Sequence, residues 1–263
     1  MEVVILADER EVGAFAAGRI ASMIDKHPAT VLGVATGSSP QQTYRVLAEQ
    51  VDAGLDVSRV SAFALDEYVG LSRDHPQSYH QVIAETVTEP LGLDPSRVHV
   101  PDGMALDLDA ACADYEDRIA AAGGIDLQLL GIGANGHIGF NEPTSSLASR
   151  TRVKTLTART RADNARFFDD PDQVPRQCLT QGLATILDAH TTVLVATGTA
   201  KARAIARIVE GPVQALWPGS VLQLHRRATV VVDEAAAAEL ELADYYRYTD
   251  SQRRLREAER RTD

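Results

Sequence analysis

Leu129-Leu130-Gly131-Ile132-Gly133-Ala134-Asn135-Gly136-His137-Ile138-Gly139-Phe140-Asn141-Glu142-Pro143 is the stretch on which the fold turns. The apolar run Ile125 to Leu130 that enters it reads as a short buried strand. The run stops at Gly131. Four glycines follow within nine residues, with two amides, one imidazole and one carboxylate, closed by a proline. A strand running into a Gly-rich turn delivers backbone N–H groups and polar side chains to the carboxyl edge of a sheet. Ligands of open α/β folds bind there. Histidine is the side chain suited to proton transfer near neutral pH, and a carboxylate such as Glu142 can orient His137, so the content suits acid–base work.

Plainer readings compete with that one. Gly131-x-Gly133-x-x-Gly136 matches the dinucleotide fingerprint, and the preceding strand fits it. The fingerprint should also open a helix and meet an acid about 20 residues later. Here Pro143 intervenes, and Thr151-Arg152-Val153-Lys154 is basic. Glycines alone predict only a turn, so a purely structural loop stands beside the acid–base reading. His137 has no second His nearby at ligand spacing, so neither a metal nor a cofactor is expected.

Upstream, Val3 to Ala7 is a strand candidate. Asp8 can cap a helix in which Val12, Phe15, Ala16, Ile20, Met23 and Ile24 share a face. Thr30 to Ala35 is a second buried strand, running into Thr36-Gly37-Ser38-Ser39-Pro40 and a helix from Gln41 to Gln50. That loop lacks the Lys of a P-loop but offers free N–H groups and two hydroxyls, which suit one phosphate or carboxylate. Val60 to Leu65 is a third strand, ending in Asp66 and Glu67. These adjacent acids are candidates for a general base, or else solvated loop carboxylates. Ser78 to about Leu91 predicts a helix, Val98 to Val100 a short strand, and Asp107 to Ala122 a helix.

Downstream, Thr151 to Thr157 reads as β-like, and Thr160 opens a short helix, Arg161 to Phe168. The span from about 149 to 174 is rich in Arg and poor in aliphatics, which suggests a mobile lid. Its basic residues Arg152, Lys154, Arg159, Arg161 and Arg166 could together receive an anion. Cys178 to Leu187 predicts a helix, Thr191 to Ala196 a strand and Ala200 to Val209 a helix. Lys201 lies in the first turn of that helix, where a cation opposes the macrodipole. It is better explained if it shares an anion with the N–H groups there. Ala228 to Asp233 is the last strand, and the tail is expected to fray after Ser251. The β-α alternation predicts an α/β fold: a doubly wound, mostly parallel sheet with helices on both faces, one domain over 1–263.

Composition narrows the class. The 263 residues carry a net charge of −11, which disfavours nucleic acid and anionic membranes as partners. The two cysteines, Cys112 and Cys178, form no CxxC pattern. No run reaches the roughly 18 apolar residues of a membrane span. A cytoplasmic protein is the expectation.

Several separated motifs agree on more. Leu65-Asp66-Glu67-Tyr68-Val69-Gly70-Leu71, Gly131 to Pro143, Ser146-Leu147-Ala148-Ser149-Arg150-Thr151-Arg152 and Leu222-Gln223-Leu224-His225 together resemble the glucosamine-6-phosphate deaminases, of the glucosamine/galactosamine-6-phosphate isomerase family. The resemblance runs along nearly the whole chain, in order. It implies conversion of D-glucosamine 6-phosphate and water to D-fructose 6-phosphate and ammonia, without metal or nucleotide, in amino-sugar catabolism. By similarity His137 opens the sugar ring, Asn135 and Glu142 orient that imidazole, and Asp66 moves a proton from C2 to C1. The substrate phosphate would lie on Gly37, Ser38, Ser39, Arg166 and Lys201. Some relatives carry Asp where this chain has Asn135, so a positioning role and a different pH profile are expected. Ser145, Arg152 and Lys154 match the site at which allosteric relatives bind N-acetylglucosamine 6-phosphate between subunits, whereas the tail tyrosine of that site has no clear match. The resemblance implies a homo-oligomer, with states from monomer to hexamer in the family. The alternatives are a 6-phosphogluconolactonase-like hydrolase and a non-enzymatic sugar-phosphate sensor domain on the same fold.

Overall fold

The computed structural model describes residues 1–262, with side chains as far as Glu259. The elements run β1 (Glu2–Leu6), α1 (Glu9–Lys26), β2 (Val31–Val34), α2 (Ser38–Asp52), β3 (Ser61–Ala64), β4 (Asp66–Tyr68), α3 (Tyr79–Ile83), α4 (Glu89–Leu91) and β5 (Val98–His99). Then come α5 (Leu108–Ala121), β6 (Leu127–Leu130), β7 (Arg152–Thr155), α6 (Ala158–Asn164), β8 (Gln177–Thr180), α7 (Leu183–Leu187), β9 (Thr191–Ala196), α8 (Ala202–Val209), β10 (Ala228–Asp233) and α9 (Ala243–Thr262).

Seven strands form one parallel sheet in the order β1-β10-β9-β6-β2-β3-β5. Its central strands, Val31–Val34 and Leu127–Leu130, are buried at every position, because both faces are covered. Alternate side chains go to opposite sides. Leu32, Val34, Leu127 and Leu129 pack with α1, α2 and Ile83 of α3, whereas Leu130 and Leu194 pack with α7 and α8. Phe63 and Val31 meet Tyr115 and Ile119 of α5. The expected doubly wound α/β fold is the observed one.

The strand order locates the site. From β2 the chain moves outward to β3 and β5, and from β6 it moves the other way to β9 and β10. β2 and β6 are parallel neighbours, so the order in which the chain adds strands reverses between them. The loops after these two strands diverge to opposite faces and leave a crevice at their carboxyl ends. Those loops are Ala35 to Ser39 and Gly131 to Pro143.

A second, antiparallel sheet of order β4-β8-β7 was not expected. Gln177–Thr180 is a strand, which corrects the helix read over Cys178 to Leu187; only Leu183–Leu187 is helical. Leu179, Leu183 and Ile186 mimic helical spacing, but the edges of β8 are claimed by two strands remote in sequence. Other boundaries shift as well. α2 begins at Ser38 rather than Gln41. The Ser78 to Leu91 helix is interrupted by a π-helical turn over Ala84–Thr88 ahead of Pro90, which has no N–H to donate. The lid helix starts at Ala158, capped by Thr157, whose side chain accepts from Thr160 N. β7 and buried Leu156 and Val174 tie parts of the lid span to the body. The tail does not fray at Ser251: α9 continues to Thr262, where Arg253 pairs with Glu2 at 2.7 Å and lies over Phe15. Among the described residues no helix is long and apolar enough to cross a membrane.

Candidate active site

The crevice contains a cavity of about 210 Å³. Gly37, Ser38, Ser39, Asp66, His137, Arg166 and Lys201 all line it, although five separate segments supply them. Asn135 and Glu142 stand behind His137, outside the lining, and Ser145, Arg152 and Lys154 do not line the cavity either.

One end of the cavity gathers groups whose chemistry suits an anion. Tyr44 Oη donates to Ala35 O and accepts from Ala35 N, both at 2.9 Å, which fixes the first residue of the loop. Gly37 then takes φ +97°, a conformation that strains any side chain, and becomes the N-cap of α2. A glycine has no side chain to cap the helix, so the first-turn N–H groups stay available to an anion. Lys201 reaches across the crevice and donates from Nζ to Ile132 O at 2.6 Å. Burial lowers its pKa; Asp163 offsets this and nearby Arg166 adds to it. An anion would relieve both effects. Arg166 is the one lid arginine brought to the cavity. Arg159 pairs with Asp163, Arg161 bonds Val174 O, and Arg152 donates to Asn141 Oδ1.

The paired acids separate cleanly. Neither is solvated: Asp66 is 5% exposed and Glu67 4%. Glu67 is committed to the backbone, accepting from Tyr68 N, Tyr79 N and His80 N, so it anchors the start of α3. Nothing among the described residues donates to the Asp66 carboxylate, which faces the cavity. Burial, and then the charge of Glu67, hold its pKa well above the usual carboxylate range. The group is therefore a stronger base than an exposed aspartate.

Opposite it, His137 is oriented from behind. Its Nδ1 lies 3.6 Å from Glu142 Oε2, longer than a hydrogen bond. Asn135 ties the two residues together from the side: its Nδ2 donates to Glu142 Oε2 at 2.8 Å, and its Oδ1 accepts from the backbone N of His137 at 3.3 Å. Glu142 Oε1 accepts from Thr157 N and Thr157 Oγ1, each at 3.2 Å. Burial raises the Glu142 pKa, but His137, Thr160 and Asn135 outweigh it and bring the value down to about 2. Glu142 is thus a fixed negative charge at neutral pH. Gly136 (φ +81°) lets this loop pass Trp217, where a Cβ would come within 2.5 Å of the indole ring.

Sequence reasoning missed the wall formed by Tyr68, Tyr79, Phe140 and Phe168. Asn164 Nδ2 from the lid donates to Tyr68 Oη at 2.8 Å. Tyr68 and Phe140 lie inside the two motifs already singled out, so their neighbourhood was the available signal. The proposed effector residues are only partly assembled. Arg152 and Lys154 share a face of β7, and Ser145 Oγ and Arg152 Nη2 are buried with no hydrogen-bond partner among the described residues.

The family described as glucosamine-6-phosphate isomerases/6-phosphogluconolactonase matches residues 7–231. A glucosamine-6-phosphate deaminase of Cutibacterium acnes is 60% identical over 254 residues, 96% of this chain and 97% of that one. One from an Arthrobacter species is 59% identical over 250 residues, 95% and 96% of the two chains. Among solved structures, a monomeric glucosamine-6-phosphate deaminase superposes with a TM-score of 0.89 at 42% identity, covering 91% of this chain and all of that one (100%). The 6-phosphogluconolactonase from Trypanosoma brucei, with a TM-score of 0.74 at 18% identity over 91% and 98% of the chains, shares the fold alone.

Proposed function

The chain belongs to the glucosamine-6-phosphate isomerase/6-phosphogluconolactonase family, and from that membership we propose that it is a glucosamine-6-phosphate deaminase. It converts D-glucosamine 6-phosphate and water to D-fructose 6-phosphate and ammonia. The observation that carries the deaminase reading is the unpartnered, buried Asp66 facing the same cavity as His137.

The steps follow from the side chains. The phosphate sits on the N–H groups and hydroxyls at Gly37, Ser38 and Ser39, between Lys201 and Arg166. His137 takes the proton of the anomeric hydroxyl and returns one to the ring oxygen, which breaks the C1–O bond and exposes the aldehyde. Glu142 stabilises the imidazole in its charged form, and Asn135 holds both in register. Asp66 removes the C2 proton, acidified by the adjacent aldehyde, and an enolamine forms. The same carboxyl delivers that proton to C1, leaving an imine at C2. Water adds there and ammonia departs. A carboxylate with a raised pKa suits both halves of this transfer.

A lactonase has no C–H bond to break and no use for a desolvated base at position 66. Incubation with glucosamine 6-phosphate, followed by ammonia and fructose 6-phosphate, tests the reading. Turnover of 6-phosphogluconolactone alone would exclude it.

Regulation is a further part of the proposal. Ser145, Arg152 and Lys154 form the anion-binding half of a site for N-acetylglucosamine 6-phosphate, supported by the partnerless Ser145 Oγ and Arg152 Nη2. The homo-oligomer implied by the resemblance is tested by light scattering against the 28.3 kDa chain; the monomeric relative at 42% identity weighs toward a monomer. A cytoplasmic location, where sugar phosphates are made and consumed, completes the reading.

A further inference from the structure

We infer that Thr180, with its neighbour Gln181, is the joint that holds the imidazole loop in register with the carboxylate base. The inference rests on the deaminase reading. Asp66 and His137 belong to different segments, and no bond joins their side chains. Something must set their separation to within a fraction of an ångström for a proton relay on one sugar.

The small antiparallel sheet does so. Thr180 lies in the middle of one row across it, paired with Asp66 of β4 on one side and Arg152 of β7 on the other. Its side chain leaves the row toward the loop, and Oγ1 accepts from Phe140 N at 3.0 Å. Gly139 crosses directly over this point. A Cβ there would stand 3.0 Å from Thr180 Oγ1 and 3.6 Å from Asp66 Oδ2, so the loop touches the joint and the base together. Gln181 repeats the pattern. Its N donates to Leu65 O and its Nε2 to Ala64 O, on the segment that ends in Asp66. Its O accepts from Asn141 Nδ2 at 2.8 Å, on the loop that ends in Glu142. Two consecutive residues thus bond both to the base segment and to the imidazole loop. Thr180 and Gln181 are fully buried, and neither lines the cavity. They are positioning residues.

The arrangement predicts a separation of kinetic constants. The phosphate contacts lie on other loops, so loss of the Thr180 hydroxyl should leave binding nearly intact while the proton transfers slow. Thr180→Val keeps the shape and removes the acceptor. Thr180→Ser and Thr180→Ala differ from each other by the hydroxyl alone and serve even where the valine variant does not fold. With glucosamine 6-phosphate, Thr180→Val and Thr180→Ala should lose about tenfold to a hundredfold in kcat with KM within about twofold. Thr180→Ser should recover most of the kcat. Equal kcat in Thr180→Ser and Thr180→Ala, or a loss that appears in KM, would overturn the inference. A wild-type protein that releases no ammonia would instead sink the deaminase reading on which it rests.

Discussion

Asp66 and Glu142 are two buried carboxyls with opposite proton affinities, and their signs lead to opposite predictions. Burial first, and Glu67 second, keep the proton on folded Asp66 to a higher pH than the usual 3.8. The folded state therefore holds that proton more tightly than the unfolded chain. Stability falls as pH rises from the usual value through the raised one. Asp66→Asn removes this penalty along with the base. It should abolish ammonia release, retain fructose 6-phosphate binding and raise the thermal midpoint at pH 7. A variant that still turns over, or that melts earlier than wild type, would contradict the assignment. Glu142, at about 2, contributes stability above the usual 4.5 and loses it as pH falls through about 2. Glu142→Gln should lower the midpoint at pH 7 and slow turnover of the ring-closed sugar. Lys201→Ala should raise KM several-fold with little change in kcat, since the proposed phosphate contact is one that ground and transition states would share. At this scale composition and spacing left the adjacent acids 66 and 67 alike, and only the family resemblance singled out Asp66. Three backbone N–H groups bind Glu67 and none binds Asp66, and that difference exists only once α3 and β4 are packed.

At the scale of elements, helix α6 hangs from the Glu142 carboxylate. Thr157 both caps the helix and bonds Glu142 Oε1. Thr157→Ala should cost about 1 kcal/mol in capping and free the helix end. Trypsin should then cut faster after Arg159, Arg161 and Arg166 than in wild type, and inorganic phosphate should slow the cutting in both. An unchanged cleavage rate would mean that other contacts, such as Asn164 to Tyr68, anchor the lid. The elements differ in how readable they are. α1 was legible because Asp8, an apolar face and His27-Pro28 all act locally. β8 was not, because Gln177–Thr180 is extended only by virtue of β4 and β7 on its two sides. The π turn at Ala84–Thr88 and the continuation of α9 past Ser251 are likewise imposed from outside the segment.

For the whole molecule, the reversal between β2 and β6 converges five segments on one cavity, and the residues proposed for effector binding stay apart from it. If Ser145, Arg152 and Lys154 receive N-acetylglucosamine 6-phosphate, that compound should lower the half-saturating concentration of substrate, and Arg152→Ala should remove the response. Identical curves with and without the compound would discard the effector site. Such coupling has a short path here, since Arg152 donates to Asn141 in the imidazole loop and pairs through Thr180 with the Asp66 strand.

The chain alone determined the parallel α/β class, the strands that end in glycine-rich loops, and the motifs proposed for catalysis and for phosphate binding. Each depends on the order of apolar runs, glycines and caps over a few residues, where propensity and solvation act locally. Only the tertiary structure decided which of two neighbouring acids is free, that a small second sheet exists, and what keeps position 66 in register with position 137. Those features rest on hydrogen bonds between segments up to 117 positions apart, as from Gln181 to Ala64. No local pattern encodes a partner that distant, because its energy appears only when both groups leave water together.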